Sequence, residues 1–133
     1  METLNTKTVQ DAYAAFLRGD VTTLLGLLTD DVMWEPVLGT GSHVPFSARR
    51  QGKPAVAEFF TQVAASEDFT QFEPREYIAQ GDAVVAVGHY RATTKSTGRS
   101  FESDFAMVFT LRDGKISRFR EFTDSAAINA AFV

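Results

Sequence analysis

Apolar positions near the start of the chain recur at helical spacing. Val9, Ala12, Tyr13, Phe16 and Leu17 stand at i, i+3, i+4, i+7 and i+8, which predicts a helix from about Asn5 to Arg18. Gly19 supplies its stop. Leu24, Leu25, Leu27 and Leu28 predict a short second helix over Thr22 to Leu28. After Asp30-Asp31, the run Val32-Met33-Trp34-Glu35-Pro36 predicts a short strand, and its proline, which cannot donate to a ladder, places that strand's end at a sheet edge. Val37 to Gln51 reads as loop, with Gly39, Gly41, Ser42, Pro45 and Ser47, yet Val44 and Phe46 are too apolar for free solvent. A loop that long in a compact domain is often a lid or pocket rim. Gly52-Lys53-Pro54 opens a third helix, ending near Ser66, with Val56, Phe59, Phe60, Val63 and Ala64 as its buried stripe.

The period then changes to two. Phe69 to Ala79 and Ala83 to Lys95 read as strands joined at Gly81-Asp82, and a Ser96-Thr97-Gly98 turn leads into a hairpin from Phe101 to Thr123. A last helical segment, Ser125 to Phe132, follows Asp124 as its cap. Helices first and a meander of strands last define an α+β class, a curved mixed or antiparallel sheet wrapped around the helices.

The hairpin turn Arg112-Asp113-Gly114 admits two registers. A two-residue type I′ turn at Asp113-Gly114 pairs Leu111 with Ile116; a three-residue loop with Gly114 as a left-handed bulge residue pairs Leu111 with Lys115. In the first register both faces are mixed. In the second, Phe101, Ser103, Phe105, Met107, Phe109 and Leu111 share a face with Ser117, Phe119, Glu121 and Thr123, while Glu102, Asp104, Arg118 and Arg120 gather on the other. A half-buried antiparallel sheet needs that separation, which favours the bulged register. Glu121 is then opposite Phe105 and beside Phe119, the one ionisable group on an apolar face. Such surroundings disfavour a charged carboxylate and raise its pKa unless a partner compensates. Two readings stand side by side: an acid or base in a pocket, or a structural salt bridge to Arg49 or Arg50.

Composition narrows the picture. A chain of 133 residues, 44% hydrophobic and 12% aromatic, suits a single domain over 1–133 with a sizeable core. A net charge of −4 and the lack of a basic stripe argue against a nucleic-acid partner. No apolar run approaches the ~20 residues of a membrane span, and Met1-Glu2-Thr3 does not open a signal peptide, so a cytoplasmic location without membrane association is the expectation. There is no cysteine, hence no thiol nucleophile or zinc-thiolate site, and two histidines far apart give little support for another metal.

Four segments carry a family resemblance: Ala14-Ala15-Phe16-Leu17-Arg18-Gly19-Asp20, Asp30-Asp31-Val32-Met33-Trp34, Gly52-Lys53-Pro54-Ala55-Val56-Ala57-Glu58-Phe59-Phe60, and Phe109-Thr110-Leu111-Arg112-Asp113-Gly114-Lys115-Ile116. With the element order they resemble the NTF2-like superfamily, in its SnoaL-like, ketosteroid-isomerase-related branch, over nearly the whole chain. The resemblance implies a cone-shaped sheet whose open end holds a small hydrophobic ligand. The implied lining is Tyr13, Phe16, Trp34, Phe46, Phe59, Val63, Ala86, Gly88, Tyr90, Phe105, Met107, Phe119 and Glu121. Gly88, inside a strand, marks either a close ligand approach or a bulge. Where the steroid isomerases have a helix tyrosine and a protonated sheet aspartate, this chain has Ala12, with Tyr13 one residue on, and Met107.

SnoaL-type cyclases are more similar, since their chemistry asks mainly for one carboxylate in a hydrophobic chamber. The resemblance thus implies a cofactor-independent acid/base enzyme of isomerase, cyclase or lyase type acting on a carbonyl compound. Glu121 would be its base, and Tyr13, Tyr90 or His43 would donate to the developing enolate. The alternative is a non-catalytic small-molecule-binding protein of the same fold. His43 either closes over a ligand or is solvated, and Arg49 and Arg50 either anchor an anionic group at the rim or sit in water. Glu35 alternates to the opposite face from Trp34, toward a surface pair. Asp104 with Arg118 and Arg120 forms an outer charge ladder. Ala106, Val108 and Phe122 share that outer face, which fits the homodimers common in the family.

Overall fold

The computed structural model describes residues 1–37 and 43–133. In chain order the elements are α1 (Glu2–Leu17), α2 (Val21–Gly26), β1 (Leu28–Glu35), β2 (Arg50–Gln51), α3 (Lys53–Ser66), β3 (Glu67–Gln80), β4 (Ala83–Thr94), β5 (Ser100–Arg112), β6 (Lys115–Thr123) and α4 (Ser125–Ala131). The described strands form one curved, unclosed sheet in the order β2-β1-β6-β5-β4-β3, in the α+β class.

Local chemistry accounts for the helix ends. Gly19, at φ +73°, follows α1 as expected. The Asp20 carboxylate accepts from the Thr23 amide at 3.1 Å and starts α2, and Asp124 accepts from Ala127 at 3.0 Å to start α4. Pro54 lies in the first turn of α3. The second helix stops earlier than its leucine pattern suggests. Leu27 caps it and Leu28 already belongs to β1, where it pairs with Ile116 and is fully buried.

At its proline end β1 is paired on one side only, since Glu35 meets Arg120 of β6 and no residue of β2. β1 lies inside the sheet, parallel to β6 and antiparallel to β2, so Trp34 pairs with Phe119 on one side and Arg50 on the other. Pro36 follows the last paired residue, Glu35, and therefore removes no ladder bond. Of the expected rim loop, Gly39, Gly41 and Ser42 lie outside the described residues, whereas Val44 and Phe46 are buried in the core as their apolarity requires.

The β5-β6 hairpin combines the two registers weighed above. Asp113 and Gly114 both have positive φ, 53° and 78°, as a type I′ turn demands, and Leu111 pairs with Ile116. One residue later the register shifts: Thr110 pairs with Arg118, leaving Ser117 as the bulge residue, its hydroxyl donating to Thr110 O at 3.1 Å. The bulge is thus at Ser117, not Gly114, and Glu121 stands opposite Met107, not Phe105. Ile116 and Phe119 are an odd number of residues apart and cannot both face inward along an unbroken strand. Burying each is worth about 1.5–3 kcal/mol, more than the loss of regular pairing at one serine. Both are buried, and Phe119, Glu121 and Phe105, Met107, Phe109 keep the shared inward face that the sequence predicted.

That inward face packs on Val9, Ala12 and Tyr13 of α1 and on Val56, Phe59, Phe60 and Val63 of α3 in one core. Two further register shifts, at Thr70 and Arg75 of β3, are bulges of the kind that bend a strand.

The outer ladder differs from expectation. Asp104 meets His89 Nδ1 at 2.8 Å, and Arg118 donates to Glu35 at 2.9 Å because β6 has β1 as its other neighbour. Arg120 lies over Phe122, 5.7 Å from the ring centre. Among the described residues no helix is long and apolar enough to cross a membrane.

Candidate functional site

Glu121 projects from β6 into the core with 5% of its surface exposed. Tyr90, on β4, reaches across β5 and donates to Glu121 Oε2 at 2.5 Å. Phe105 stacks on the Tyr90 ring at 5.4 Å and holds it in place. Behind the phenol a run of hydroxyls continues toward the end of the sheet. Tyr90 Oη lies 2.9 Å from Thr123 Oγ1, Thr123 donates to Ser103 at 2.8 Å, and Ser103 donates to Asp104 O at 2.6 Å. Burial pushes the Glu121 carboxyl up to about 7, while the hydrogen bond from Tyr90 pulls the other way. The Tyr90 hydroxyl is raised far beyond its ordinary value by burial and by the charge of Glu121, so it stays a neutral donor. The alternative of a salt bridge to Arg49 or Arg50 is corrected. Arg49 lies 3.9 Å from Glu35 and is largely exposed, while Arg50 donates to Ala55 O and Gln62.

A second inward carboxylate corrects the reading of Glu121 as the sole one. Glu67 caps α3 and opens β3, has 5% of its surface exposed, and its Oε2 has no hydrogen-bond partner. Burial first, and then the charge of Glu121, push its carboxyl up to about 8. The signal was present in the sequence: Val56, Phe59, Phe60 and Val63 form one helical stripe, and the next position of that stripe is Glu67. Ending the helix at Ser66 hid it. Trp34 Nε1 is likewise buried without an acceptor, its ring stacked on Phe119 at 4.1 Å.

These groups line one cavity of about 80 Å³ between the sheet and the helices. A single water needs on the order of 10–15 Å³ on this scale, so the space admits several waters or a small organic molecule. Among the expected site residues, Tyr13, Phe16, Trp34, Phe46, Phe59, Val63, Tyr90, Met107, Phe119 and Glu121 line it. Five expectations are corrected. His43 is exposed and Arg49 faces the outer side with Glu35, so neither reaches the cavity. Phe105 is buried behind the wall, against Tyr90 and Phe72. Gly88 faces Glu73, Pro74 and the Phe105 ring rather than open space. Ala86 is buried outside the lining as well. Tyr13 keeps its place, but its hydroxyl donates to Met107 Sδ at 2.9 Å instead of to open volume. Ala12, Leu24, Leu28, Val37, Phe60, Phe69, Phe72, Phe101, Phe109, Ile116 and Ile128 complete the apolar wall. Among the described residues no group of three or more His, Asp or Glu side chains is placed to hold a metal.

Tyr90→Phe removes the donor that favours ionised Glu121. The Glu121 midpoint is expected to rise above about 7 by on the order of one pH unit. Carboxyl-carbon NMR titration reads it directly, and an unmoved midpoint would show that the hydrogen bond does not tune the acid.

A curved open sheet, helices packed in its concavity and an apolar cavity with a buried carboxylate define an NTF2-like protein. The chain belongs to the SnoaL-like domain family, whose model matches residues 9–119. It is similar over 100% of its length to an NTF2-like protein from Burkholderia xenovorans LB400, with 30% identity, TM-score 0.90 and 98% of that chain covered. An NTF2-like protein of Burkholderia pseudomallei K96243 is 26% identical at TM-score 0.86, with 98% of each chain covered. TerC, co-crystallised with polyporic acid, is 27% identical at TM-score 0.80, covering 97% of this chain and 98% of its own. No curated protein matches the chain.

Proposed function

We propose that the protein is a cofactor-independent acid/base enzyme of isomerase, cyclase or lyase type that acts on a small hydrophobic carbonyl compound in this cavity. The observation that carries the reading is Glu121, buried in an apolar chamber and hydrogen-bonded to Tyr90 with no cation against it. A carboxylate stripped of water and balanced near neutrality is a far better carbon base than an exposed one, because it gains little from staying charged. In the proposed step Glu121 removes a proton α to the carbonyl. The Trp34 indole N–H, a buried donor without an acceptor, can receive the oxygen on which charge develops. That TerC was co-crystallised with polyporic acid supports reading the cavity here as a small-molecule site.

The test is proton exchange at carbon. Acetophenone, 1-indanone and cyclohexanone incubated with the protein in D2O should take up α-deuterium faster than in buffer, with a rate that rises as Glu121 ionises around pH 7. Glu121→Gln should lower the protein-dependent rate by roughly 10²–10⁴-fold, the usual contribution of a placed general base. Full activity in that variant would remove Glu121 as the base. Ketone binding without exchange in the wild type would instead leave a non-catalytic binding protein.

A further inference from the structure

We infer that Glu67 and Glu121 work as one acid–base pair, holding a single proton between them in the neutral range, and that the cavity therefore selects neutral carbonyl or hydroxyl compounds over anions. The inference deepens the proposed function and rests on it for its catalytic part. Its basis is geometric. Both side chains line the same cavity from different elements, Glu67 from the junction of α3 with β3 and Glu121 from β6. Glu67 Oε2 is buried there with no hydrogen-bond partner. A buried polar atom with nothing to bond is costly, and a ligand or water in the adjoining space is the group that satisfies it.

Of the described residues lining the cavity, only Tyr13 from α1, Tyr90 from β4 and the two glutamates titrate. Among the described residues no lysine, arginine or histidine lines it. Two carboxylates confined without a cation cannot both be charged at little cost, so one keeps its proton. The division of labour follows from the partners. Tyr90 donates to Glu121 and favours its ionised form, whereas nothing donates to the free oxygen of Glu67.

A bound ketone would then meet both forms at once. The Glu121 carboxylate takes the α-hydrogen as a proton, and the C–H electron pair becomes the enol C=C bond. The carbonyl π pair moves to oxygen, which takes the Glu67 proton. The product is the neutral enol, with the proton now on Glu121, and reprotonation at carbon reverses the exchange. A carboxylate ligand would place a second negative charge in the same space, beside ionised Glu121.

Two measurements on the intact chain test the inference. Carboxyl-carbon NMR should show the Glu67 midpoint falling in Glu121→Gln, by roughly tenfold or more in its ionisation constant, because its charged neighbour is gone. Glu67→Gln should move the Glu121 midpoint little, because that step already occurs beside a neutral acid. In the ketone exchange assay the wild-type rate should rise and then fall with pH. Glu67→Gln should lower the maximum by roughly tenfold or more and lose the falling limb, which a purely structural role would not remove. 4-Ethylphenol should bind the wild type more tightly than 4-ethylbenzoate, and the Glu67→Gln, Glu121→Gln double variant should narrow that gap.

An unchanged Glu67 midpoint in Glu121→Gln overturns the pair. A Glu67→Gln variant with full rate and an intact falling limb overturns its catalytic use, while the proposed function stands. A wild type that exchanges no ketone overturns the catalytic part together with the proposed function, and the NMR midpoints then decide the pair on their own.

Discussion

Between pH 5 and pH 8.5 the wild-type protein is expected to lose several kcal/mol of stability that the Glu67→Gln, Glu121→Gln double variant keeps. The unfolded chain releases the two protons near the ordinary glutamate value of ~4.3. The folded chain holds them until about 7 for Glu121 and about 8 for Glu67. Below ~4.3 both states are protonated and the groups cost nothing extra. Through the window above it the folded state binds more protons than the unfolded one, so stability falls as pH rises. Each pH unit between the folded and unfolded values is worth about 1.4 kcal/mol, which makes the pair's contribution on the order of several kcal/mol. That is a large share of the ~5–15 kcal/mol that stabilises a typical domain. His89, raised by its bond to Asp104, also favours the folded state at lower pH, but it is present in both proteins and drops out of the difference. Urea unfolding midpoints at the two pH values measure the effect. Parallel pH dependence in wild type and double variant would mean that neither glutamate is buried in the protonated form.

The same loss bears on function. Neither carboxylate is needed to fill the core, since the apolar wall around them is continuous. A pair of acids that destabilises the fold at the pH where one of them ionises is the kind of local conflict found at functional sites rather than in packing cores.

How far the sequence was legible depends on whether one strand or several decide a position. The helices and the long strands follow from their own periodicities, and the family segments place them in order. Glu121 also emerged from sequence, because the alternation of Phe105, Met107 and Phe109 with Phe119 demands one common face. The turn did not. Asp113-Gly114 satisfies the type I′ geometry locally, and only the need to bury both Ile116 and Phe119 reveals the bulge at Ser117. Glu67 was missed for a related reason. It lies on a boundary where the helical stripe ends and the strand alternation begins, and neither pattern alone claims it. His43 and Arg49 attracted attention by residue type and loop position, and a loop sets no side-chain direction by periodicity.

Gly88 is the clearest case of a position whose role requires the third dimension, and Gly88→Ala is expected to cost about 2–3 kcal/mol, the range of overpacked cores, and to lower Tm by about 10 °C. The glycine pairs with Pro74 on the edge strand β3, just before the shift at Arg75, where the two backbones approach closely. A Cβ there would collide with the Glu73 carbonyl oxygen and lie 2.9 Å from Pro74 Cα and 2.7 Å from Phe105 Cζ. The ring could shift a little. The carbonyl and the proline cannot, because they are backbone held by neighbouring ladder bonds, so β3 itself must move outward. Phe105→Leu added to Gly88→Ala should therefore recover only a minor part of the loss, which distinguishes a backbone clash from a crowded ring. Phe105 also stacks on Tyr90, so the displacement reaches the cavity. The Gly88→Ala protein, where it folds, should show the Glu121 midpoint altered along with the melting temperature. Wild-type stability in Gly88→Ala would mean that the strands have room to separate, and the glycine would return to the list of places where a ligand could approach.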